Sequence, residues 1–299
     1  MTAATQSDLL GFLAHLKPLG LAWLAVAFAL VMVHYIAEPL RWRVLFPGTA
    51  PMTTWVSVFG LTALVSYVLP FKLGIPLRVY FLRLKMQLSL ASVTGAMGLD
   101  ALIYYGGWLL AGASGFVLLA RRISLFDVPL AAVVAVSVLG VLAGAWVVPR
   151  MLRAIRRFDL HYRITAVLAQ FTPARIALIG SIVMADILCQ LLRHGALAQA
   201  LDIPVGVIAI GALTAFAILA GLLIFTPMGL GGYDAIMLAG LVQFGAPFSS
   251  ALILVLLNRL LTIAAAALIG GIGGWALGLN PLRPGASRAL IECEKGPNA

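Results

Sequence analysis

The sequence PFKLG at residues 70–74 recurs as PMGLG at residues 227–231, and each copy lies between long apolar stretches. Proline removes a backbone donor and glycine loosens a helix, so both copies predict a broken helix. The residues of the predicted breaks are Pro70, Gly74, Pro227, Gly229, Gly231 and Gly232. In lipid, broken backbone persists only where protein or a water-filled cavity satisfies the freed polar groups. Matching interruptions in both halves of a membrane chain therefore point to the binding site of a transporter.

The composition excludes an ordinary soluble domain. Hydrophobic residues make up 63% of the chain, charged residues make up 10%, and the mean hydropathy is +1.08. The net charge of +10 is explained by anionic lipid headgroups and the positive-inside rule, so we expect no nucleic-acid partner. The sequence contains no metal-ligand spacing, phosphate-binding loop or nucleophile constellation, so no metal, cofactor or enzymatic activity is predicted.

The apolar runs predict an all-α polytopic membrane protein, with an inverted repeat and two re-entrant hairpins. We expect one membrane domain over residues 1–280 and a disordered cytoplasmic tail over residues 281–299. Repeat one covers about 19–120 and repeat two about 174–278, linked by a span at 128–148 and a basic loop at 149–173. The predicted full spans are Leu19–Ala37, which is expected to continue through Arg41, Ala91–Ala120, Val128–Val148, Ala174–Leu201 and Phe248–Gly278. The predicted hairpins are Thr53–Lys85 and Pro204–Gln243. An open alternative makes residues 205–225 a full span.

Lysine and arginine residues predict the orientation of the chain. With the end of the first span in the cytoplasm, thirteen of these residues lie inside, Arg41 among them, and only Lys17, Arg121 and Arg122 lie outside. The positive-inside rule then places the N-terminus outside and the C-terminus in the cytoplasm. We expect the protein to lie in the inner membrane of the cell.

Two sets of polar residues support the repeat. The set His34, Glu38, Arg41 and Trp42 has the same spacing as the set Asp186, Gln190, Arg193 and His194. The spacing i, i+4, i+7, i+8 places each set on one face of a helix. Each set precedes its own break, so we interpret the two segments as equivalent parts of an inverted repeat.

Charged residues inside the membrane are costly and are the candidates for function. Arg193 and Arg259, with Asn258 beside the latter, are predicted to hold an anionic headgroup because the guanidinium fork binds phosphate in a bidentate manner. Lys72 and Arg78 belong to the first hairpin, where the N-terminus of a half-helix also favours an anion. The alternative is a structural network of polar groups that holds the helices together.

Four acidic residues are candidates for pairing with these arginines or for proton coupling: Glu38, Asp100, Asp186 and Asp234. Asp234 is in the first turn after the second break, where capping of the helix could also explain it. Glycines at Gly270, Gly274 and Gly278 fit close helix packing and leave a homodimer open.

These motifs resemble the lysylphosphatidylglycerol synthase transmembrane-region family. The resemblance rests on residues 41–43, on the element from Leu69 to Arg78, on residues 227–231 and on residues 258–261. It implies a flippase-like domain for lipid translocation. The best-known members carry a fused soluble synthase, and this chain has none, which argues against lipid aminoacylation.

The sequence departs from that family where Ile75 and Tyr233-Asp234 replace its usual Glu and Arg-Glu. The remaining site is more positive, which favours an anionic phospholipid or a lipid-linked precursor such as a polyprenyl phosphate. We therefore expect a lipid transporter that works by alternating access. The rival interpretations are a membrane-embedded enzyme acting on a lipid-linked sugar or phosphate, and a structural partner of a lipid-modifying enzyme.

Overall fold

The computed structural model describes residues 18–68, 73–122, 172–223 and 231–278, and every regular element in these ranges is an α-helix. The eight helices are α1 (Pro18–Leu45), α2 (Met52–Val68), α3 (Gly74–Met86), α4 (Leu90–Arg122), α5 (Pro173–Ala200), α6 (Val207–Leu223), α7 (Gly232–Gln243) and α8 (Phe248–Ala276). α1, α4, α5 and α8 are long and apolar enough to cross a bilayer. The protein is therefore an all-α membrane protein with several spans, as the sequence predicts.

The first span is longer than predicted, and this changes the position of Arg41. α1 continues past Pro39 to Leu45. The Arg41 residue is only 2% exposed, and its guanidinium binds acidic side chains of other spans. The assignment of Arg41 to the cytoplasmic charges is therefore wrong. The predicted span at 128–148, the loop at 149–171 and the tail at 281–299 lie outside the described residues.

The two predicted hairpin segments each contain a pair of short helices. α2 has 17 residues and α3 has 13, while α6 has 17 and α7 has 12. A helix of 17 residues extends only about 25 Å, which is less than the hydrocarbon thickness of a bilayer. α2 contacts α3, and α6 contacts α7. The connecting residues 69–72 and 224–230, which include Pro70, Lys72, Pro227 and Gly229, lie outside the described residues.

The described glycines of the breaks have specific backbone roles. A Cβ at Gly74 would lie 1.9 Å from the carbonyl oxygen of Thr62, so only glycine permits this approach of α3 to α2. Gly231 has a φ of 89°, in the region that favours glycine, and Gly232 is the first residue of α7.

Glycine also sets the packing of the long helices. A Cβ at Gly270 of α8 would lie 2.7 Å from the carbonyl oxygen of Gly60 in α2. A Cβ at Gly115 of α4 would lie 2.4 Å from the carbonyl oxygen of Ala212 in α6. Small residues allow membrane helices to approach this closely. Gly270 thus contacts a helix of its own chain.

Helix contacts follow the same order in the two halves of the chain. α1 packs on α2 as α5 packs on α6. In the same way, α8 packs on α2 as α4 packs on α6. α3 contacts α4, and α7 contacts α8. α1 and α5 pack directly against each other. The polar faces of α1 and α5 therefore meet in the interior of the helix bundle.

Candidate functional site

The polar face of α1 is bonded to α4 and α5. His34 Nδ1 donates a hydrogen bond to Asp186 Oδ1 at 2.7 Å, and Arg41 Nε donates one to Asp100 Oδ1 at 2.7 Å. Arg41 Nη1 also lies 3.6 Å from Asp186 Oδ2. Asp186 is only 1% exposed, so its charge needs these partners. The four side chains join three membrane spans.

Arg78 anchors α3 to two neighbouring helices. Its Nη1 donates a hydrogen bond to Glu38 Oε1 on α1, and its Nη2 lies 3.5 Å from Glu38 Oε2. Its Nε donates to Thr62 Oγ1 on α2 at 3.2 Å, and the guanidinium carbon lies 4.3 Å from the ring centroid of Phe59. The Arg78 side chain thus holds the short helix after the first break against α1 and α2.

We call the charged and bonded residues of this region the first polar cluster. Its members are His34, Glu38, Arg41, Arg78, Asp100 and Asp186. Two arginines here face three carboxylates, and each arginine has at least one acidic partner.

Asp234 and Arg259 make the corresponding anchor after the second break. Arg259 Nε and Nη2 donate hydrogen bonds to the two oxygens of Asp234, each at 3.0 Å. Asp234 Oδ2 also accepts a bond from the backbone N–H of Gly231 at 3.3 Å. Asp234 therefore caps the start of α7 and pairs with a membrane arginine at the same time, which combines the two roles considered from the sequence.

A chain of hydrogen bonds connects α5, α7 and α8. His194 Nδ1 donates to the carbonyl oxygen of Gln190 at 2.7 Å, and its Nε2 lies 2.5 Å from the hydroxyl of Tyr233. Asn258 Nδ2 donates to the same hydroxyl at 3.3 Å. Gln190 Nε2 lies 3.5 Å from Asp186 Oδ1, so this series of hydrogen bonds borders the first polar cluster.

Arg193 differs from the other membrane arginines. The residue is 5% exposed, and its Nε is enclosed without a hydrogen-bond partner. Among the described residues, no carboxylate oxygen lies within 4.0 Å of its guanidinium nitrogens. It lies within electrostatic reach of the hydroxyls of Tyr35 and Tyr233. Arg193 is thus a buried cation that no described acidic group neutralises.

We call this second group the second polar cluster. Its members are Arg193, His194, Tyr233, Asp234, Asn258 and Arg259. Two arginines here face one carboxylate.

A comparison with protein families assigns the chain. The family model described as the lysylphosphatidylglycerol synthase TM region matches residues 2–270. The chain belongs to this family. Searches among curated proteins and among solved structures found no match. The matched range contains both polar clusters, so the buried charges lie within the TM region of a lysylphosphatidylglycerol synthase family protein.

The structure brings most of the predicted site residues of this TM-region protein into two groups. Arg259 is bonded to Asp234, Asn258 is bonded to the neighbouring Tyr233, and Arg193 lies within electrostatic reach of Tyr233, whereas Arg78 lies in the other cluster. The acidic residues Glu38, Asp100 and Asp186 are also in the first polar cluster. Lys72 lies outside the described residues.

Sequence reasoning missed two members of the second polar cluster. Tyr233 and His194 form the hydrogen bond that connects α7 to α5, but the sequence indicates each of them only as part of a longer motif. A further signal was available in α2 and α6, where Leu-Thr-Ala at 61–63 recurs at 213–215. That separation of 152 residues equals the separation of His34 from Asp186, which are in direct contact.

Asp100 and Asn258 occupy matching positions within their helices but differ in charge. Asp100 lies ten residues after the first residue of α4, and Asn258 lies ten residues after the first residue of α8. Arg41 and Arg193 occupy matching positions in the repeated polar sets. Arg41 pairs with Asp100 of α4, whereas the residue at the same distance from the start of α8 is the neutral Asn258. Of the two polar clusters formed by the described residues, only the second contains more arginines than carboxylates.

Proposed function

We propose that this protein transports an anionic lipid across the bacterial inner membrane and binds its headgroup at Arg193. The observation that supports this most strongly is the buried Arg193, whose Nε has no hydrogen-bond partner and whose charge no acidic side chain of the described residues neutralises. A membrane arginine costs about 2.5–3.5 kcal/mol on insertion scales, and membrane charges mark substrate pathways by default. An anionic ligand would supply the missing counter-charge.

The neighbouring arginines strengthen this proposal because they are paired with acids. Arg41, Arg78 and Arg259 each lie within ion-pair distance of a carboxylate. A chain that pairs three membrane arginines with acids, and leaves the buried Arg193 without an acidic partner among the described residues, has a site suited to phosphate or another anion.

The mechanism that we propose is alternating access in an inverted repeat with two re-entrant hairpins. It draws support from the equivalent helix contacts in the two halves and from the short lengths of α2, α3, α6 and α7. The pairs Arg78–Glu38 and Arg259–Asp234 tie the helices after the two breaks to the long helices. Breaking one pair while the other persists would free one hairpin at a time.

The orientation that we propose has the N-terminus outside and the C-terminus in the cytoplasm. With Arg41 moved into the membrane, the twelve remaining inner charges still outnumber the three outer ones. Asp100, Asp186, Asp234 and Glu38 serve in this proposal as partners of arginines, and proton coupling through any of them remains a hypothesis. We propose no enzymatic activity. A homodimer and a lipid-modifying enzyme partner remain hypotheses.

The test is lipid scrambling by purified protein in liposomes that contain a fluorescent anionic phospholipid. We expect Arg193→Gln to slow transport by about tenfold or more because it removes charge-assisted hydrogen bonds. Arg193→Lys keeps the charge but loses the planar fork, so its transport rate should lie between the rates of the native protein and of Arg193→Gln.

Arg43→Gln is the matched control because it removes the same charge from an exposed position on α1. It should transport lipid at the native rate. Native transport by Arg193→Gln, or an equal loss in Arg43→Gln, would contradict a headgroup site at Arg193.

A further inference from the structure

We propose that His34 binds a proton whose movement down a proton gradient is coupled to lipid transport. The proposal rests on the proposed lipid transport, and it deepens that function because it names the coupling ion and the residue that carries it. It is based on the first polar cluster, in which His34 is bonded to Asp186.

The first polar cluster lacks one positive charge when His34 is neutral. Its three carboxylates carry one charge more than its two arginines can balance. Protonation of His34 supplies a third cation, and the charges of the cluster then sum to zero. A buried charge without a counter-charge is costly, so the ligand that this cluster fits is a proton.

The acid that is least well neutralised is Asp186. Each of the other two acids places both oxygens within 3.5 Å of nitrogens of one arginine. Asp186 Oδ1 accepts a hydrogen bond from His34 Nδ1, but Asp186 Oδ2 is enclosed without a hydrogen-bond partner and lies 3.6 Å from Arg41 Nη1. An imidazolium makes a charge-assisted bond to a carboxylate, which a neutral imidazole cannot do. A proton on His34 therefore stabilises Asp186 directly.

The second ring nitrogen of His34 is available for this proton. An ionised carboxylate can only accept, so Nδ1 carries the proton of the neutral ring, and Nε2 has a lone pair. Within the described residues, no group makes a hydrogen bond to His34 Nε2. A proton from water can add at Nε2 while Nδ1 remains bonded to Asp186. The product is an imidazolium, and no other bond forms or breaks.

His34 is exposed towards the inside of the helix bundle. The side chain of His34 is 24% exposed and that of Glu38 is 32% exposed. Both lie on the face of α1 that carries the buried Arg41, at positions i, i+4 and i+7. The exposed apolar residues Val33 and Ile36 of the same turns lie on the other side of the helix. Partial exposure on the inward face gives water a route to the His34 ring.

The pair of His34 and Asp186 lies where the two halves of the chain meet. The two residues hold matching positions in the repeated polar sets, and they contact each other. A residue contacts its own symmetry equivalent only near the axis that relates the two copies. In an inverted-repeat transporter this axis lies in the membrane plane, and coupling ions bind at the repeat interface near the midplane. A proton on His34 therefore acts on the contact between α1 and α5.

Every helix that packs against this part of α1 carries charged or titratable groups. Those near the site are Tyr35, Glu38 and Arg41 of α1, Tyr67 of α2, Arg78 of α3, Asp100, Tyr104 and Tyr105 of α4, and Asp186, Cys189 and Arg193 of α5. The charged residue of α8, Arg259, is bound to Asp234 in the second polar cluster. Histidine is the side-chain type that ordinarily changes charge between about pH 5 and 8, so His34 is the group that takes up and releases the proton.

The first test measures transport of fluorescent phosphatidylglycerol with the same pH on both sides of the liposome membrane. Protonation strengthens the bond between α1 and α5 and so slows their separation. We expect the native rate to rise by about fivefold between about pH 5 and 8, within the range for one such hydrogen bond.

Two variants fix the two charge states of the site. His34→Gln cannot take up the proton, and His34→Lys keeps a positive charge, so the transport rate of each should not change over this pH range. The second variant keeps the test decisive if the first fails to fold. A native rate that does not vary with pH, or native pH dependence in a folded form of either variant, would overturn the proposal.

The second test applies a pH gradient across the liposome membrane while potassium and valinomycin hold the membrane potential at zero. The native protein should move the fluorescent lipid towards one leaflet, beyond the distribution reached without a gradient. His34→Gln should give the same distribution with and without the gradient. His161→Gln makes the same substitution outside the first polar cluster and should behave as the native protein does. An unchanged distribution with the native protein would refute the coupling.

NMR of the purified full chain with 15N-labelled histidine separates this proposal from the proposed function, because it requires no transport. We expect a ring signal that titrates between about pH 5 and 8 in the native protein and is missing from His34→Gln. Lipid transport by a native protein without such a signal would refute proton binding at His34 alone. The signal in a native protein that transports no lipid would confirm the proton site and refute the proposed function.

Discussion

The two halves of the molecule place an arginine at matching positions but treat its charge differently. Arg41 in α1 is bonded to Asp100 and lies near Asp186. Arg193 in α5 has neither partner, and an asparagine stands where the first half has Asp100. The comparison teaches that matching positions of two helices can carry an ion-paired arginine in one half and, in the other, an arginine without an acidic partner among the described residues.

The anchors of the short helices differ in a second respect. In the first half the short helix α3 supplies the arginine, and the long helix α1 supplies the acid Glu38. In the second half the short helix α7 supplies the acid Asp234, and the long helix α8 supplies Arg259. The short helices α3 and α7 are therefore held by ion pairs of opposite polarity.

The largest expected effect concerns the paired arginine. Asp100→Asn should lower the free energy of unfolding by about 3 kcal/mol, because it removes the nearest acidic partner of a buried arginine. Unfolding in mixed detergent micelles measures this loss. The double variant Arg41→Gln with Asp100→Asn should recover much of the stability. A stable single variant would contradict the structural role of the pair.

A smaller effect is expected at the glycine contacts that both halves share. Gly115→Ala and Gly270→Ala should each lower the free energy of unfolding by about 2 kcal/mol, because the new Cβ would meet a backbone carbonyl. Gly106→Ala and Gly271→Ala lie in the same two helices with open space around them, so they are the controls. A large loss in only one half would show that the halves do not pack alike.

The smallest expected effect makes the second half resemble the first. Asn258→Asp adds a carboxylate to the second polar cluster, which neutralises its excess positive charge. Lipid scrambling should fall by about tenfold, equivalent to about 1.4 kcal/mol, while thermal stability should be retained or increased. Faster transport of anionic lipid by this variant would contradict the role given to the excess positive charge of the second polar cluster.

The sequence predicts the long helices well because bilayer thickness sets their length. The apolar runs at α4, α5 and α8 agree with the structure to within two residues at each end. α1 extends to Leu45, beyond its expected end at Arg41. The burial of Arg41 among acidic side chains of other helices was not predicted. Local sequence does not contain that tertiary information.

The site could be predicted only in part for the same reason. Helical spacing identified Arg193 and Asp186 as residues of one polar face, and both are buried. The partner of each charge depends on how the helices come together. The sequence predicts both Arg78 and Arg193 as headgroup ligands. In the structure the two differ because Glu38 pairs with Arg78. The role of Tyr233 likewise follows from a contact across 39 residues.

Native mass spectrometry of the purified protein tests the central claim most directly. The claim is that Arg193 binds an anionic lipid because no acidic residue in the described part of the chain neutralises it. The native protein and the exposed-site control Arg43→Gln should both retain a bound anionic phospholipid, and Arg193→Gln should lose it while remaining folded. Equal retention of anionic lipid by folded Arg193→Gln would contradict the account.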